Sequence, residues 1–343
     1  MPDGPQSFTS VPVIDVRGLR DGSPDGPAEV AAALGRAARE VGFMYVTGTG
    51  IPPGLCADLL AVTERFFALP HETKMATYIG RSRNHRGYVP EGEEVFADGG
   101  KDHKEAFDLG RDLPVDDPDY LAGNPMLGPN QWPDLPRFRE VVSAYYAAAF
   151  DLGCQLLRGF ALALGEPADF FDRHVTRPPS QLRLIHYPVD PGAEDRPGIG
   201  AHTDYECFTI LKPTRPGLEA RNGAGQWIDV PPLPDAFVLN IGDMLELWTN
   251  GEFVATTHRV RKVVEERYSF PLFFSVDYHT PVAPLPRFVS VDRPTRPGLI
   301  AGEHLFAQTA QSFGYLKRRL AEGEITLPDG SLALSSFGGT VAK

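Results

Sequence analysis

Two histidines and one aspartate in this 343-residue chain have the types and spacing of a metal site. Only one residue separates His202 from Asp204, so on a β-strand both side chains point to the same face. A third ligand must come from another segment, and His258 begins an apolar stretch that can supply it. Two neutral imidazoles and one carboxylate on one face of an octahedron leave three positions open, which is the ligand set of non-haem Fe(II) oxygenases.

A second histidine–carboxylate pair has the same spacing. His103 and Glu105 lie in the charged run 101–105, which indicates an exposed loop or the start of a helix. No pattern of further ligands follows this pair, whereas a second motif follows His258. We therefore expect the metal at His202 and Asp204, and we expect His103 and Glu105 to form a charged surface.

Arg267 and Ser269 form that second motif, nine residues after His258. They also share one face of a predicted strand. A guanidinium and a hydroxyl together give a carboxylate charge-assisted hydrogen bonds, and a buried arginine needs such an anion. The pair therefore predicts a carboxylate-binding site, although an isolated pair of this kind indicates a structural salt bridge to an acidic residue of the core.

The composition excludes several other classes of protein. The 33 basic and 45 acidic residues give a net charge of −12, which disfavours nucleic acid and anionic membranes as partners. No apolar stretch reaches the roughly 18 residues of a membrane span, and the first residues lack the pattern of a secretory signal. The three cysteines lie far apart, which disfavours disulfides and a zinc ribbon. We expect a cytoplasmic protein, and the sequence leaves open whether it is a monomer or a dimer.

The first half of the chain has mainly helical patterns. Apolar residues recur at helical spacing in three segments, of which the last runs for nearly 30 residues without a proline. Residues 78–135 are rich in proline and glycine, which indicates long loops with some strand. The predicted elements are strands at 11–15 and 43–46 and helices at 28–41, 54–69 and 137–165.

The second half changes to short β-branched or aromatic segments between turn residues, a pattern typical of an antiparallel sandwich or barrel. We predict strands at 182–187, 207–211, 227–230, 236–240, 244–247, 258–264 and 268–276, and a last helix at 303–320. The expected fold class is mainly β with flanking helices.

Taken together, these motifs resemble the isopenicillin N synthase-like family of Fe(II)/2-oxoglutarate-dependent oxygenases. The matching pieces of the second half are Leu182–Pro188, Gly200–Asp204, Gly217–Glu219, Trp227–Pro231, Asn240–Asp243, Thr257–Val260 and Arg267–Ser269. Those of the first half are Pro12–Asp15, Gly42–Val46, Arg86–Tyr88 and Lys104–Asp108. The resemblance thus covers nearly the whole chain.

The resemblance implies a double-stranded β-helix, or jelly roll, with a long backbone helix packed against it. The implied organisation is an N-terminal helical and loop region at 1–135, the backbone helix and a connector at 136–180, the jelly-roll core at 181–280 and a C-terminal segment with a helix at 281–343.

It also implies roles for site residues. His202, Asp204 and His258 correspond to the iron ligands, and Arg267 and Ser269 to the residues that hold the distal carboxylate of 2-oxoglutarate. Tyr187 lies where family members have a tyrosine whose hydroxyl assists that carboxylate. Plant members often have Asn-Tyr-Tyr-Pro where this chain has Ile185-His186-Tyr187-Pro188, so an amide near the iron end of the co-substrate is missing. His186 alternates with Tyr187 and is expected to point away from the metal.

The activity implied by the resemblance is oxidation of a small specialised metabolite or amino-acid-like substrate by hydroxylation, desaturation or cyclisation, with O2 and 2-oxoglutarate consumed and succinate and CO2 released. Three alternatives stay open: an O2-dependent oxidase of the same fold that does not use 2-oxoglutarate, a non-catalytic ligand-binding module, and a hydrolytic zinc site. The variable segments offer polar and aromatic residues as candidate substrate contacts: Arg83, Arg86, Tyr88, Glu94, Phe107, Phe274 and Tyr278.

Overall fold

A computed structural model describes residues 7–94, 103–189, 198–261 and 265–332. The strands are β1 (Val13–Asp15), β2 (Phe43–Thr47), β3 (Gly87–Val89), β4 (Glu105–Gly110), β5 (Gln181–Tyr187), β6 (Ile199–His202), β7 (Phe208–Pro213), β8 (Leu218–Arg221), β9 (Trp227–Asp229), β10 (Phe237–Ile241), β11 (His258–Val260), β12 (Arg267–Phe274), β13 (Pro281–Val282) and β14 (Leu299–Ile300). The α-helices are α1 (Gly26–Glu40), α2 (Pro53–Phe67), α3 (His71–Met75), α4 (Pro118–Leu121), α5 (Phe138–Ala163), α6 (Asp243–Trp248), α7 (Ala301–Ser312) and α8 (Gly314–Ala321).

Two sheets form the double-stranded β-helix. The larger sheet has eight strands in the order β1-β2-β10-β7-β12-β5-β4-β3, and the smaller sheet has four in the order β6-β11-β8-β9. The N-terminal strands β1 to β4 are part of the larger sheet, on both sides of β10, β7, β12 and β5. Residues from both sheets line one pocket, so the space between the sheets is where a site can form.

Side-chain alternation divides the larger sheet into a pocket face and a helix face. In β5 the residues Gln181, Arg183, Ile185 and Tyr187 line the pocket. In β12 the alternate residues Arg267, Ser269, Pro271 and Phe273 do so as well. The intervening residues pack on the other face, as the contact of Phe270 with Tyr145 of α5 shows. One face of β5 and β12 therefore supplies the side chains that line the pocket, and the opposite face supplies those that pack against the helices.

The long helix α5 packs closely against β12. Phe274 is fully buried, stacks on Phe208 and contacts Phe150 of α5. A Cβ atom at Gly153 would lie 2.2 Å from the Phe274 ring, so a glycine is required where helix and strand approach. This contact fixes the strand that carries Arg267 and Ser269.

Two predicted elements differ from the structure. Residues 244–247, predicted as a strand, form the helix α6, because a short buried apolar run fits either period and its length does not decide between them. The predicted helix 303–320 is two helices, because Phe313 has an extended backbone with ψ 125°. The strands β6 and β8 were not predicted, and residues 262–264 of the strand predicted at 258–264 lie outside the described residues.

None of the helices in the described ranges is both long and apolar enough to cross a bilayer.

Candidate active site

Three side chains from two neighbouring strands and one loop form a potential metal site. His202 ends β6, His258 begins β11, and the two residues are direct partners across the antiparallel pair. Asp204 follows β6 in a loop rather than on the strand, so strand alternation is not what brings it beside His202. Its Oδ1 lies 3.6 Å from Nε2 of His202 and 3.5 Å from Nε2 of His258. In the described part of the chain, this is the group of three side chains with the spacing of metal ligands.

Hydrogen bonds orient all three side chains. Nδ1 of His202 lies 2.8 Å from the carbonyl oxygen of Gly200, and Nδ1 of His258 lies 3.1 Å from that of Thr256. Each Nδ1 therefore carries the proton and each Nε2 presents a lone pair to the centre. Two further donors hold the carboxylate of Asp204.

The second oxygen of Asp204 is occupied by these donors. Oγ1 of Thr209 donates to Oδ2 of Asp204 at 2.5 Å, and Nδ2 of Asn240 donates to the same atom at 2.6 Å. Oδ1 is thereby left to face the two imidazoles. The arrangement presents two nitrogens and one oxygen to a common point.

Mutual electrostatics keep the aspartate ionised. Burial alone raises the pKa of Asp204, but His258 and His202 hold that pKa well below its usual range. Burial lowers the pKa of His258, yet the Asp204 charge raises it above its ordinary value overall. The pKa of His202 is lowered by burial and by its neighbour His258. A metal cation bound between the three side chains would take the place of the imidazole protons as the positive partner of the Asp204 carboxylate.

Arg267 is a buried cation that has no carboxylate partner among the described residues. Its side chain is fully buried, and its Nε donates to the carbonyl oxygen of Arg215 at 3.1 Å. Nη1 and Nη2 are buried and have no hydrogen-bond partner among the described residues. Two unpartnered guanidinium nitrogens in a pocket wall leave room for an anion with two acceptor oxygens.

Ser269 and Tyr187 lie next to this guanidinium. Ser269 is two residues along β12 and lines the same pocket. Tyr187 pairs with Arg267 across β5 and β12, and the guanidinium carbon lies 4.7 Å from the centre of its ring. We call Arg267, Ser269 and Tyr187 the anion clamp. The three predicted clamp residues are thus brought together.

His186 points to the opposite face of β5, as its alternation with Tyr187 predicted. Its Nδ1 lies 2.9 Å from Oε1 of Glu105, its Nε2 lies 3.0 Å from Glu266, and its ring stacks on Tyr268. The side chain is buried but is not part of the pocket lining.

The predicted charged surface around His103 and Glu105 is corrected by the structure. Glu105 begins β4 and accepts hydrogen bonds at 2.6 Å from both Nζ of Lys74 and the hydroxyl of Tyr88, in addition to its contact with His186. Its side chain is only 12% exposed, because three partners from other elements enclose the carboxylate. His103 contacts Glu91 instead, 2.7 Å away.

A wall of buried ions faces the pocket beyond the metal site. Arg183 donates to both oxygens of Asp108 at 2.7 Å and to Glu94 at 2.9 Å. Nζ of Lys104 lies 3.1 Å from the other oxygen of Glu94. Burial raises the pKa of Asp108, whereas Arg183 and Lys104 overcome burial at Glu94 and lower its pKa. We call Arg183, Glu94, Asp108 and Lys104 the ionic wall; its four charges compensate one another.

Glu206 is a further carboxylate in the pocket lining, two residues after Asp204. Burial and the charge of Asp204 raise its pKa to about 8. The pocket that these residues line has about 1040 Å³ of empty space, part of which is open solvent at its mouth.

Most of the residues predicted as substrate contacts lie outside the pocket lining. Glu94 lines the pocket, but the other six candidates do not. Tyr88, Phe107 and Phe274 are buried on the helix face of the larger sheet, where Phe66 contacts the first two and Phe150 the third. The reason is strand alternation, which places these aromatic rings opposite the pocket.

The remaining three candidates have structural or surface positions. Arg86 is buried and donates to the carbonyl oxygens of His85 and Met126. Arg83 is exposed and lies over the ring of Tyr120. Tyr278 packs against the start of α7, where a Cβ at Gly302 would lie 2.1 Å from its ring.

Sequence reasoning missed three residues. Arg183 and Glu206 line the pocket, and Asp108 is the ion-pair partner of Arg183. Alternation with the predicted Tyr187 could have placed Arg183 on the pocket face. Asp108 is found only through its pairing with Arg183 across β4 and β5. Glu206 repeats the one-residue spacing of His202 and Asp204, but it follows the strand in a loop, where alternation carries no information.

Two family models match the chain over most of its length. Residues 11–135 match the model described as the N-terminal region of the non-haem dioxygenase in morphine synthesis. Residues 178–276 match the model of the 2OG-Fe(II) oxygenase superfamily.

Individual proteins match over nearly their whole length. Homoarginine-6-hydroxylase of Arabidopsis thaliana is 34% identical over 89% of this chain and 98% of its own. A 2OG-Fe(II) oxygenase family protein from Caulobacter crescentus has a crystal structure with a TM-score of 0.77 and 30% identity, over 92% of this chain and 99% of its own. A Neurospora crassa protein crystallised with alpha-KG (2-oxoglutarate) and thymine has a TM-score of 0.74 and 27% identity, over 91% of this chain and 97% of its own.

Proposed function

Because the chain belongs to the 2OG-Fe(II) oxygenase superfamily and is an Fe(II)- and 2-oxoglutarate-dependent dioxygenase, we propose a role for each residue of the site. His202, Asp204 and His258 hold the ferrous ion through Nε2, Oδ1 and Nε2. The anion clamp holds the distal carboxylate of 2-oxoglutarate. The observation that carries this assignment is the fully buried Arg267, whose two terminal nitrogens have no partner among the described residues.

The donor set fits the cofactors. One carboxylate oxygen and two imidazole nitrogens are a donor set that would hold a ferrous ion. When bound, iron and 2-oxoglutarate supply the oxidation, in which O2 is consumed and succinate and CO2 are released with the oxidised substrate. The residues of the chain bind and orient: Thr209 and Asn240 fix the aspartate, and the main-chain carbonyls of Gly200 and Thr256 fix the imidazoles.

The proposed substrate is a small metabolite of about amino-acid size, located between the metal site and the ionic wall. The pocket between the two sheets, with a mostly apolar lining and a few charged side chains, is the kind of site that binds a small molecule. The relatives named for hydroxylation of homoarginine, and the neighbour crystallised with thymine, support the proposed size. The three cysteines are free thiols, which fits the proposed location in the reducing cytoplasm.

The test is a turnover screen with succinate as the readout. Purified protein receives Fe(II), 2-oxoglutarate and one candidate from a panel of amino acids, nucleobases and aromatic or terpenoid acids. We expect succinate release that depends on both Fe(II) and 2-oxoglutarate and that one class of compound increases. Substrate oxidation that consumes O2 without 2-oxoglutarate would instead indicate the oxidase alternative, in which the anion clamp holds a carboxylate of the substrate.

A further inference from the structure

Among the described residues, the charged side chains that line the pocket leave one carboxylate without a cation beside it. The cations Arg183 and Lys104 are matched within the ionic wall, and Arg267 is matched by 2-oxoglutarate under the proposed function. Asp204 faces the two imidazoles and the metal position. Glu206 remains: no described cation forms a salt bridge with its carboxylate, and the hydrogen bond that it accepts comes from its own main chain.

Glu206 is buried, so water solvates the ionised form of its carboxyl group poorly. The residue is 9% exposed and lines the pocket. A buried carboxyl group is held poorly in its ionised form when no cation lies beside it. A ligand that brings a positive charge to this carboxylate therefore gains an interaction that a neutral ligand of the same shape cannot make.

The position of Glu206 beside the metal site is fixed by its main chain. The amide of Asp243 donates to the carbonyl oxygen of Asp204 at 2.8 Å, and the amide of Met244 donates to that of Glu206 at 3.1 Å. A Cβ at Gly242 would lie 2.3 Å from the Glu206 carbonyl oxygen, so the loop and the start of α6 are in close contact. A group bound by Glu206 is thus held near Asp204.

We propose that Glu206 binds a positively charged nitrogen group, a guanidinium or an ammonium, on the substrate. The enzyme then selects small cationic metabolites and places carbon atoms near that nitrogen beside the iron. This assignment rests on the proposed function and specifies its substrate class. Glu206 acts by binding and orientation, and the ionic wall closes the pocket around the rest of the molecule.

Binding of matched compound pairs tests the proposal. Each pair joins a cationic compound to a neutral one of similar shape: L-arginine and L-citrulline, L-homoarginine and L-homocitrulline, agmatine and N-carbamoylputrescine. Calorimetry uses the full-length protein with Zn(II) and 2-oxoglutarate, and without metal. We expect at least one cationic member to bind more tightly than its partner, and Glu206→Gln to weaken that member by roughly 10- to 150-fold while changing the neutral member little.

Glu322→Gln is the matched control, because it removes the same charge from an exposed position after α8. It should leave both members of every pair unchanged. Equal binding within all pairs, failure of every cationic member to bind, or unchanged cation affinity in Glu206→Gln would overturn the proposal. The 2-oxoglutarate Kd, measured in parallel, separates this from the proposed function: a protein that binds 2-oxoglutarate but prefers no cation refutes only the role of Glu206.

Discussion

At the scale of single residues, Arg267 combines a fixed position with an unmatched charge. Its Nε donates to the carbonyl oxygen of Arg215 and its guanidinium carbon lies over the ring of Tyr187, so both contacts restrict the orientation of the two terminal nitrogens. A planar fork held in this way discriminates between a carboxylate and a point anion better than a flexible ammonium does. The geometry of the clamp therefore depends on the guanidinium itself and not only on its charge.

We predict that Arg267→Lys weakens 2-oxoglutarate binding by about 2–5 kcal/mol, or roughly 30- to 5,000-fold. Ser269→Ala should weaken it by about 1–2 kcal/mol, because one hydrogen bond is lost while the arginine remains. Tyr187→Phe should have the same effect as Ser269→Ala or a smaller one. The measurement is the 2-oxoglutarate Kd, titrated without oxygen on protein loaded with Fe(II). An unchanged Kd in Arg267→Lys would contradict the assignment.

The residues that could be predicted from sequence are those whose spacing reports a shared function. The triad, Arg267 and Ser269 follow from the one-residue spacings at His202 and Arg267 and from the position of His258, whereas the family resemblance is what indicated Tyr187. The ionic wall depends on strand pairing, because Asp108 meets Arg183 across β4 and β5 and 75 residues separate them. Glu105 was misjudged for the same reason: its partners Lys74, Tyr88 and His186 are distant in sequence.

At the scale of elements, the contact between α5 and β12 controls the strand that carries the clamp. Gly153→Ala should lower the free energy of unfolding by about 1–3 kcal/mol, because the new methyl group overlaps the buried ring of Phe274. Gly54→Ala, in the first turn of α2, is the control; nothing lies within 4 Å of the added atom, so stability should be unchanged or higher. Urea unfolding of both variants measures the difference, and equal effects would show that the contact is not tight.

The helix α7 contains a buried histidine that links stability to pH. Both ring nitrogens of His304 lack a hydrogen-bond partner among the described residues, and burial lowers its pKa to about 4. An unfolded histidine has a pKa of about 6.5, so below that pH the unfolded chain binds a proton that the folded chain does not. The contribution of His304 to stability is therefore fully present above about pH 6.5 and decreases as the pH falls toward about 4.

We predict that His304→Leu removes this part of the pH dependence. The free energy of unfolding of the unmodified protein should fall relative to that of the variant by roughly 2 kcal/mol when the pH is lowered from about 7 to about 5. Urea unfolding at several pH values measures the difference between the two proteins. A parallel decrease in both would mean that other groups cause the acid sensitivity.

The sequence predicts elements well where one period dominates over many residues. The long α5 was predicted within two residues at each end, since its apolar stripe continues over seven turns. The break between α7 and α8 could not be predicted, because tertiary contacts cause it. The amide of Gly314 donates to the Glu93 carbonyl at 2.8 Å, and Phe313 lies edge-on to His85 and beneath the guanidinium of Arg183.

At the scale of the whole molecule, binding at the metal site should stabilise the fold. A ligand at 100 times its Kd adds about 2.7 kcal/mol to the free energy of unfolding, because it binds only the folded chain. Zn(II) or Ni(II) with 2-oxoglutarate should therefore raise the Tm by several degrees without supporting succinate release. His258→Ala should lose most of this Tm increase. Succinate release that returns equally with Zn(II) after thorough chelation would contradict the iron assignment.

The alternation of β5 restricts how this enzyme can diverge from its relatives. Arg183 and Tyr187 face the pocket, while Leu182, Leu184 and His186 face the helices. Deletion of a single residue would exchange the two sets, which would place leucines beside the iron and an arginine in the hydrophobic layer. New substrate preferences can therefore arise in β5 through replacement of individual side chains, but not through changes in its length.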